Sequence, residues 1–477
     1  MKKLNFIIKY GLALLLLSFY SCESWLNVTP SDRLSEEMLF NDREGFVKAL
    51  NGVYIELNTN ELYGRNLTAG ALDVMGQYYS VASSSHAFYN YGGLVYTGND
   101  EKALFDNMWQ KCYAVIACCN TIIEKCDENK AGLSPVWKGS IKGEALALRA
   151  MLHFDMLRLF GPLTSELDKE SIPYQTNSDQ TVTPLLSGSE VIGLILDDLK
   201  NAVGLLKDTD PYFVEEEFSD TDLNYRRFRM NYFAANALLA RMYMYNGDEE
   251  NAYKNACIAY GFHKRWFKWT ANSNQGSVSN INFLYPKRYN ELFLCFSNND
   301  VVDNVEKIFE NYRYALQMKN MDVLFAGDMD DYRYTGFYNK TTLAYGAKRY
   351  ATWLRFSGET FKVVLDQLSL LPVIRASEMY HIQIEYLLNK GRKEEAVELF
   401  NSLRLSRGAK AKLTTDMTID DLQQKLVYDI IRETLTEGQT FFMFKRLNRD
   451  IFNGSSDIKM TPEKWVVPIP YSESAYQ

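Results

Sequence analysis

Histidine occurs only four times in 477 residues, as His86, His153, His263 and His381. So few, so scattered, exclude a multi-histidine metal centre or proton relay. Eleven Pro and 27 Gly are too few for a linker-rich, collagen-like or many-turned all-β chain. No block of Lys and Arg occurs, and the formal net charge is −8. Nucleic-acid phosphates are met by clustered basic side chains, so no nucleic-acid partner is expected. No apolar run reaches the ~20 residues of a membrane-spanning helix. Nucleophile elbows, zinc-binding helices and phosphate loops are missing too. Hydrophobic residues make up 47% and charged residues 23%, an ordinary globular balance. At roughly 100–200 residues per domain, the length allows about two to four domains or one large one.

Aromatics are abundant at 14%, and 32 Tyr outnumber 27 Phe. A Tyr excess suits rings that keep a polar edge at a surface or cleft.

The first residues carry Lys2, Lys3 and Lys9, then the apolar run Tyr10–Leu17, then Ser18–Cys22. A basic start, a short apolar stretch and a small residue at a cut site make a secretory signal over 1–21. Cys22 directly after Ser21 predicts a bacterial lipoprotein, acylated at Cys22 and held at the outer membrane by lipid. Phe19-Tyr20 departs from the usual motif, and a plain signal peptide with a chance Cys is the alternative. Cys112, Cys119 and Cys126 recur every seven residues in a helical segment. Each step is about 10 Å along the axis, too far for disulfides or a shared metal. They read as small core residues at packing seams.

Long helical patterns dominate. Apolar spacing predicts helices over 102–126, 137–160, 190–206, 229–245, 249–260, 374–389, 393–406 and 419–437. Two helix–turn–helix pairs, Ala234–Ala256 and Ile382–Leu403, carry small residues at fixed offsets around a Gly turn. They are similar to tetratricopeptide (TPR) repeats. The expected fold is mainly all-α, a TPR-like helical-repeat superhelix with aromatic, loop-rich insertions. The insertions break the periodicity. Residues 76–96 hold six Tyr or Phe in 21, and residues 260–356 hold 22 aromatics in 97. Long irregular segments rich in aromatics are functional more often than disordered. The expected organisation is 22–260, then a loop-rich region over 261–372, then 373–477.

With these segments in view, the chain resembles the SusD/RagB family of outer-membrane nutrient-binding lipoproteins. The resemblance rests on Trp25-Leu-Asn-Val-Thr-Pro30, on Trp109, Tyr113, Ile116 and Asn120, and on Glu144–Pro162. It continues through Ile195–Leu206, Ala235–Asp248, Arg375–Tyr380, Asn401–Gly408 and Pro468–Pro470. One stretch departs: where the family has an Arg and an Asp, this chain has Thr440 and Met443. The resemblance implies four TPR-like units, and loops that contact ligand. It also implies a SusC-type TonB-dependent transporter as partner, and an oligosaccharide ligand, with peptide as the alternative. No catalysis, no cofactor and no metal are expected.

Sugar rings have apolar C–H faces that stack on aromatic side chains. Candidate platforms are therefore Tyr78, Tyr79, Phe88, Tyr89 and Tyr91 in the first insertion, and Trp266, Trp269 and Tyr285 in the second. Their bland alternative is core packing. Asp328–Asp331 and Glu215–Glu217 lack the spacing of a calcium loop and read as solvated acidic loops. His153 reads as a hydrogen-bonded core residue, and Arg149 and Arg158 as partners in structural ion pairs.

Overall fold

The computed structural model describes residues 36–474 apart from 82, 180, 215–216, 220–221, 223–224, 267–268, 270–290, 299, 301–316, 337, 341–344 and 348–369. The expected helices form within a few residues of the periodicity. They are α1 (Arg43–Leu57), α2 (Ala71–Met75), α3 (Tyr89–Gly92), α4 (Asn99–Glu128), α5 (Pro135–Phe160) and α6 (Gly188–Thr209). These are followed by α7 (Tyr232–Tyr245), α8 (Glu249–Trp266), α9 (Ala376–Asn389), α10 (Lys393–Ser406), α11 (Ile419–Thr434) and α12 (Gln439–Leu447). Helices α1 to α3 and α12 were not anticipated. Cap chemistry sets several boundaries. Ser134 caps α5 by accepting from the Trp137 amide, with Pro135 behind it. Ser187 and Glu190 form a reciprocal capping box on α6.

Helices α4, α5 and α6 pack side by side, and α7 with α8 and α9 with α10 form the two TPR-like pairs. Cys112, Cys119 and Cys126 are free thiols buried along one seam of α4, as their spacing predicts. Their thiols are pushed up by burial, Cys126 to about 12, so they are inert packing groups.

Beyond its first two turns helix α5 has no solvent face: every residue from 143 to 160 is buried. Each of its charged groups must then find a partner. Glu144 accepts from Arg226, Arg229 and the Tyr54 hydroxyl. Burial raises the Glu144 carboxyl, but the two guanidiniums outweigh it and hold it below the usual carboxylate range. Arg149 makes a two-pronged pair with Asp198 on α6, each bond 2.7 Å, and donates to Asn120 on α4. Arg158 pairs with Asp155 and donates to Gln439 on α12. His153 is buried, with Nδ1 2.9 Å from the Arg149 carbonyl and Nε2 accepting from the Gln175 amide at 3.0 Å. Burial pushes its pKa down to about 3, so it stays neutral. The structural roles expected of Arg149, His153 and Arg158 are present.

The acidic segment 328–331 is not a solvated loop. Asp328 is buried and accepts two bonds of 2.8 Å from Arg404 and one from Arg432. Asp331, Asp429 and Glu433 surround Arg333, whose side chain is fully buried. Arg407 joins Glu433 to Glu291. The arginine partners lie far away in sequence, which is why these acids looked free. Of the other cluster, Glu217 is exposed and accepts from the Ser134 hydroxyl, while Glu215 and Glu216 lie outside the described residues. Burial opposes ionisation of Glu433, but Arg407, Arg333 and Arg375 hold it down at about 2.

Eight short strands accompany the helices: β1 (Tyr79–Ser80), β2 (Leu292–Ser297), β3 (Gln317–Met318), β4 (Tyr338–Lys340), β5 (Tyr345–Ala347), β6 (Leu370–Arg375), β7 (Ile451–Phe452) and β8 (Asp457–Ile458). Strands β2 and β6 pair antiparallel, as do β7 and β8, and β1-β3-β5-β4 form one sheet.

Removing a cation from among three buried carboxylates should be severe. Arg333→Ala is expected to lose about 3–5 kcal/mol of stability in urea titration. Lys48→Ala, which breaks an exposed pair with Glu44, should leave the midpoint unchanged. Equal small losses in both variants would refute the ranking.

Candidate functional site

The two aromatic insertions are far apart in sequence but meet in one sheet. Tyr79 pairs with Met318, Met318 with Tyr345, and Tyr345 with Lys340. The first insertion thus supplies the edge strand β1, and the second supplies the three strands beside it. The Lys319 amide also donates to the Tyr78 carbonyl at 3.0 Å. The sheet is rooted on the C-terminal hairpin. Tyr78 donates its hydroxyl to the Phe452 carbonyl at 2.5 Å, and Asn320 donates to the Asn453 carbonyl at 2.6 Å.

Most of the candidate rings of the first insertion are core. Tyr78, Tyr79, Phe88 and Tyr91 are all 4% exposed or less. Phe88 meets Tyr91, Tyr91 meets Phe105, and Phe105 meets Phe160 at the end of α5, each pair edge-on. A ring packed on both faces has none to offer a sugar, which corrects the expectation for these four. Tyr89 differs. It is 45% exposed, beside exposed Asn90 and the exposed stretch Ser84–Ser85. Asn90 is fixed by a 3.0 Å bond from its side-chain amide to Glu101, and His86 by the Phe88 amide donating to its Nδ1.

In the second insertion, Trp269 is placed against helix α9. It is half-buried, its ring 5.1 Å from that of Tyr380, with the Arg407 guanidinium 4.6 Å over it. It belongs to the satellite core between α9 and the buried ion network. Trp266 is the last residue of α8, and its ring lies outside the described residues, as do Tyr285 and Cys22.

Asp73 joins the sheet to the helices, a role that no sequence signal revealed. Its carboxyl accepts from the Tyr79 hydroxyl at 2.6 Å and from the amides of Thr436 and Gly438 at 2.8 and 3.1 Å. Gly438 sits at φ 71° with a Cβ position only 2.3 Å from the Leu67 carbonyl, so only glycine fits. Burial pushes the Asp73 carboxyl up to about 7 against the pull of its three donors.

A cavity of about 100 Å3 lies between α5, α7, α9, α11 and α12. Its apolar wall includes Phe154, Met244 and Phe442. Its carboxylates Glu378, Glu385 and Glu437 are each gripped by two guanidinium nitrogens, from Arg241, Arg446 and Arg375 respectively. Among the described residues, no group of three or more His, Cys, Asp and Glu could hold a metal ion, and no helix is long and apolar enough to cross a membrane.

A SusD-like family model, described as "Starch-binding associating with outer membrane", matches residues 24–244. SusD-like protein P2 of Formosa agariphila is 25% identical over 261 residues, which cover 53% of this chain and 45% of the relative. The family match takes in the N-terminal part of the chain, just under half of it. A second relative, SusD-like protein P38 of the same organism, is 27% identical over 199 residues, 38% of this chain and 34% of that protein. The match therefore spans less than half the length of either curated relative. The fold is similar to a SusD superfamily protein of Bacteroides thetaiotaomicron, with a TM-score of 0.71 at 19% identity over 91% of this chain and 98% of the other. It is also similar to a SusD-like carbohydrate binding protein of Bacteroides vulgatus, with a TM-score of 0.69 at 18% identity over 91% and 96%. The chain thus shares the helical fold of these SusD-like structures.

The raised Asp73 pKa has a sign. The folded value lies above the unfolded value near 3.8, so the stability that Asp73 contributes is complete below that pH and lost as pH rises through about 7. Asp73→Asn abolishes this titration and turns an amide donor toward one of the two backbone N–H groups, which approach different oxygens. The stability advantage of the parent over this variant should shrink between about pH 4 and 7 in urea titrations. A pH-independent difference would show that Asp73 is ionised throughout.

Proposed function

We propose that this protein is a surface lipoprotein that captures oligosaccharides and hands them to a SusC-type TonB-dependent outer-membrane transporter, binding without catalysis. The observation that carries the reading is that the two aromatic insertions are joined in one four-stranded sheet, and that the segment following its edge strand β1 leaves Ser84, Ser85, Tyr89 and Asn90 exposed. The family match and the description of that family model agree with it. An exposed tyrosine offers a face for a pyranose ring and a hydroxyl for its rim. Asn90 supplies amide chemistry beside it. Trp266 and Tyr285 remain candidate contacts from the second insertion.

Binding is favoured over hydrolysis by the state of the interior carboxylates. A glycosidase needs two carboxyl groups facing each other across a cleft, one of them able to carry a proton. In the interior cavity each of Glu378, Glu385 and Glu437 is tied to its own arginine. A peptide ligand, as in the RagB branch, is the second reading. It would use the same exposed aromatic and amide groups.

Electrophoresis through gels containing neutral polysaccharides tests the ligand class. The protein should be retarded by at least one polysaccharide and release no sugar products. Tyr89→Ala should relieve the retardation without shifting the melting temperature, because its ring is not core. Cleavage products would make the protein an enzyme, and binding confined to peptide arrays would favour the RagB-like reading.

The lipid anchor has its own test, motivated by Ser21-Cys22 after a short apolar run. A single acyl chain binds membranes only marginally, so stable anchoring calls for a multiply acylated Cys22. In cells lacking the transporter, Cys22→Ala should move the protein to the soluble fraction. Retention of that variant on carbonate-washed membranes would overturn the anchor.

A further inference from the structure

We propose a second site for neutral carbohydrate, in the cleft at the N-terminal end of α5 formed by Arg43, Trp137, Asp42, Ser134 and Glu217. The proposal rests on the glycan-binding reading above but concerns a different surface. The cleft encloses about 590 Å3, inside the ~300–1,000 Å3 typical of ligand pockets.

Its walls are an aromatic edge with polar groups of both kinds. Trp137 is half-buried, with the Phe218 ring 4.5 Å away and the Arg43 guanidinium carbon 4.7 Å from its own ring centroid. Arg43 is exposed and has no carboxylate partner among the described residues, although three carboxylates line the same cleft. Those acids are held elsewhere. Asp42 accepts from the Gly45 amide, Glu217 from the Ser134 hydroxyl, and Glu44 pairs with Lys48. Each uses one oxygen, and the other has no hydrogen bond among the described residues. The Trp137 indole N–H likewise has no partner among the described residues. The cleft therefore displays unused donors, the Arg43 fork and the indole N–H, next to unused acceptors on Asp42 and Glu217.

This mixture selects a chemical class. An anion would meet Arg43 but face three carboxylates. A cation would meet the acids but face a stacked guanidinium. A neutral sugar satisfies both sets, because every hydroxyl donates and accepts and its C–H groups can lie along the indole edge. The cleft is separate from the sheet. Trp137 and Arg158 lie 21 residues apart on one straight helix, so about 30 Å. Arg158 contacts α12, which is at the root of the sheet. Two separated sites on one molecule hold a long polymer through effective concentration, even where each alone is weak.

Indole N–H resonances of the seven Trp, with Trp137→Phe assigning the relevant one, give the readout. Probes are neutral glucan, mannan and xylan oligosaccharides, with glucuronate and spermidine as charged controls. The Trp137 resonance should move saturably with at least one neutral oligosaccharide. Arg43→Ala should weaken that response about tenfold or more, the worth of one hydrogen bond to a charged donor. Tyr89→Ala should leave it intact. Silence of Trp137 toward every neutral probe, or a response only to glucuronate or only to spermidine, overturns the site. If Trp137 stays silent while Tyr89→Ala abolishes polysaccharide retardation, this inference alone fails. If Trp137 responds while Tyr89→Ala changes nothing, the second site stands and the assignment of the sheet surface fails.

Discussion

Eighteen successive helical residues, 143–160, buried on all sides set the terms for the rest of this molecule. This part of α5 cannot send its charged residues to water, so they are answered by other elements: Glu144 by Arg226 and Arg229, Arg149 by α6 and α4, and Arg158 by α12. An unanswered charge in that setting would cost several kcal/mol, so the pairs act as register marks. They dictate which face of α5 meets which neighbour. The end of the helix is closed in the same way. Lys445 is fully buried and donates to the Arg158 and Gly161 carbonyls, two of the acceptors that α5 leaves unused at its C-terminus. Burial, helped by nearby Arg158, pushes the Lys445 ammonium down to about 7.

The second network does for the C-terminal half what α5 does for the N-terminal half. Asp328, Asp331 and Arg333 leave the second insertion and lock onto Arg404, Asp429, Arg432 and Glu433 of α10 and α11. The stretch between β3 and β4 is thereby fastened to α10 and α11, while β3, β4 and β5 on either side of it join the sheet with β1.

Local regularities were legible and distant pairings were not. The eight helices announced themselves by periodicity, the Cys112–Cys119–Cys126 seam by its spacing, and His153 by its position inside an apolar helix. The rings of the first insertion misled because nothing in residues 76–96 says what will cover them. Tyr78 is closed off by a carbonyl 374 residues away, and Tyr79 by a carboxylate that also holds Thr436 and Gly438. The surroundings of Trp269 were hidden for the same reason, since Tyr380 and Arg407 lie more than a hundred residues on. Among the described candidate rings of the first insertion, Tyr89, on the solvent side of a single helical turn, is the exposed one.

The departure from the family pattern at Thr440 and Met443 shows how a lost ion pair is absorbed. Glu437, the acid of that motif, is bound through both oxygens by Arg375 at the end of β6. The network therefore survives without the family's usual arginine at 440. Thr440 is itself fully buried, its hydroxyl 3.3 Å from that of Thr434. On its other side Gly76 approaches so closely that a Cβ there would stand 3.0 Å from the Thr440 Cβ. A long side chain at 440 would collide with the backbone that leads into β1. Small residues on both sides bring the root of the first insertion directly against α12, and the Asp73 carboxyl then spans from that root to the turn before the helix. The motif has exchanged charge pairing for close packing at the point where the scaffold meets the sheet.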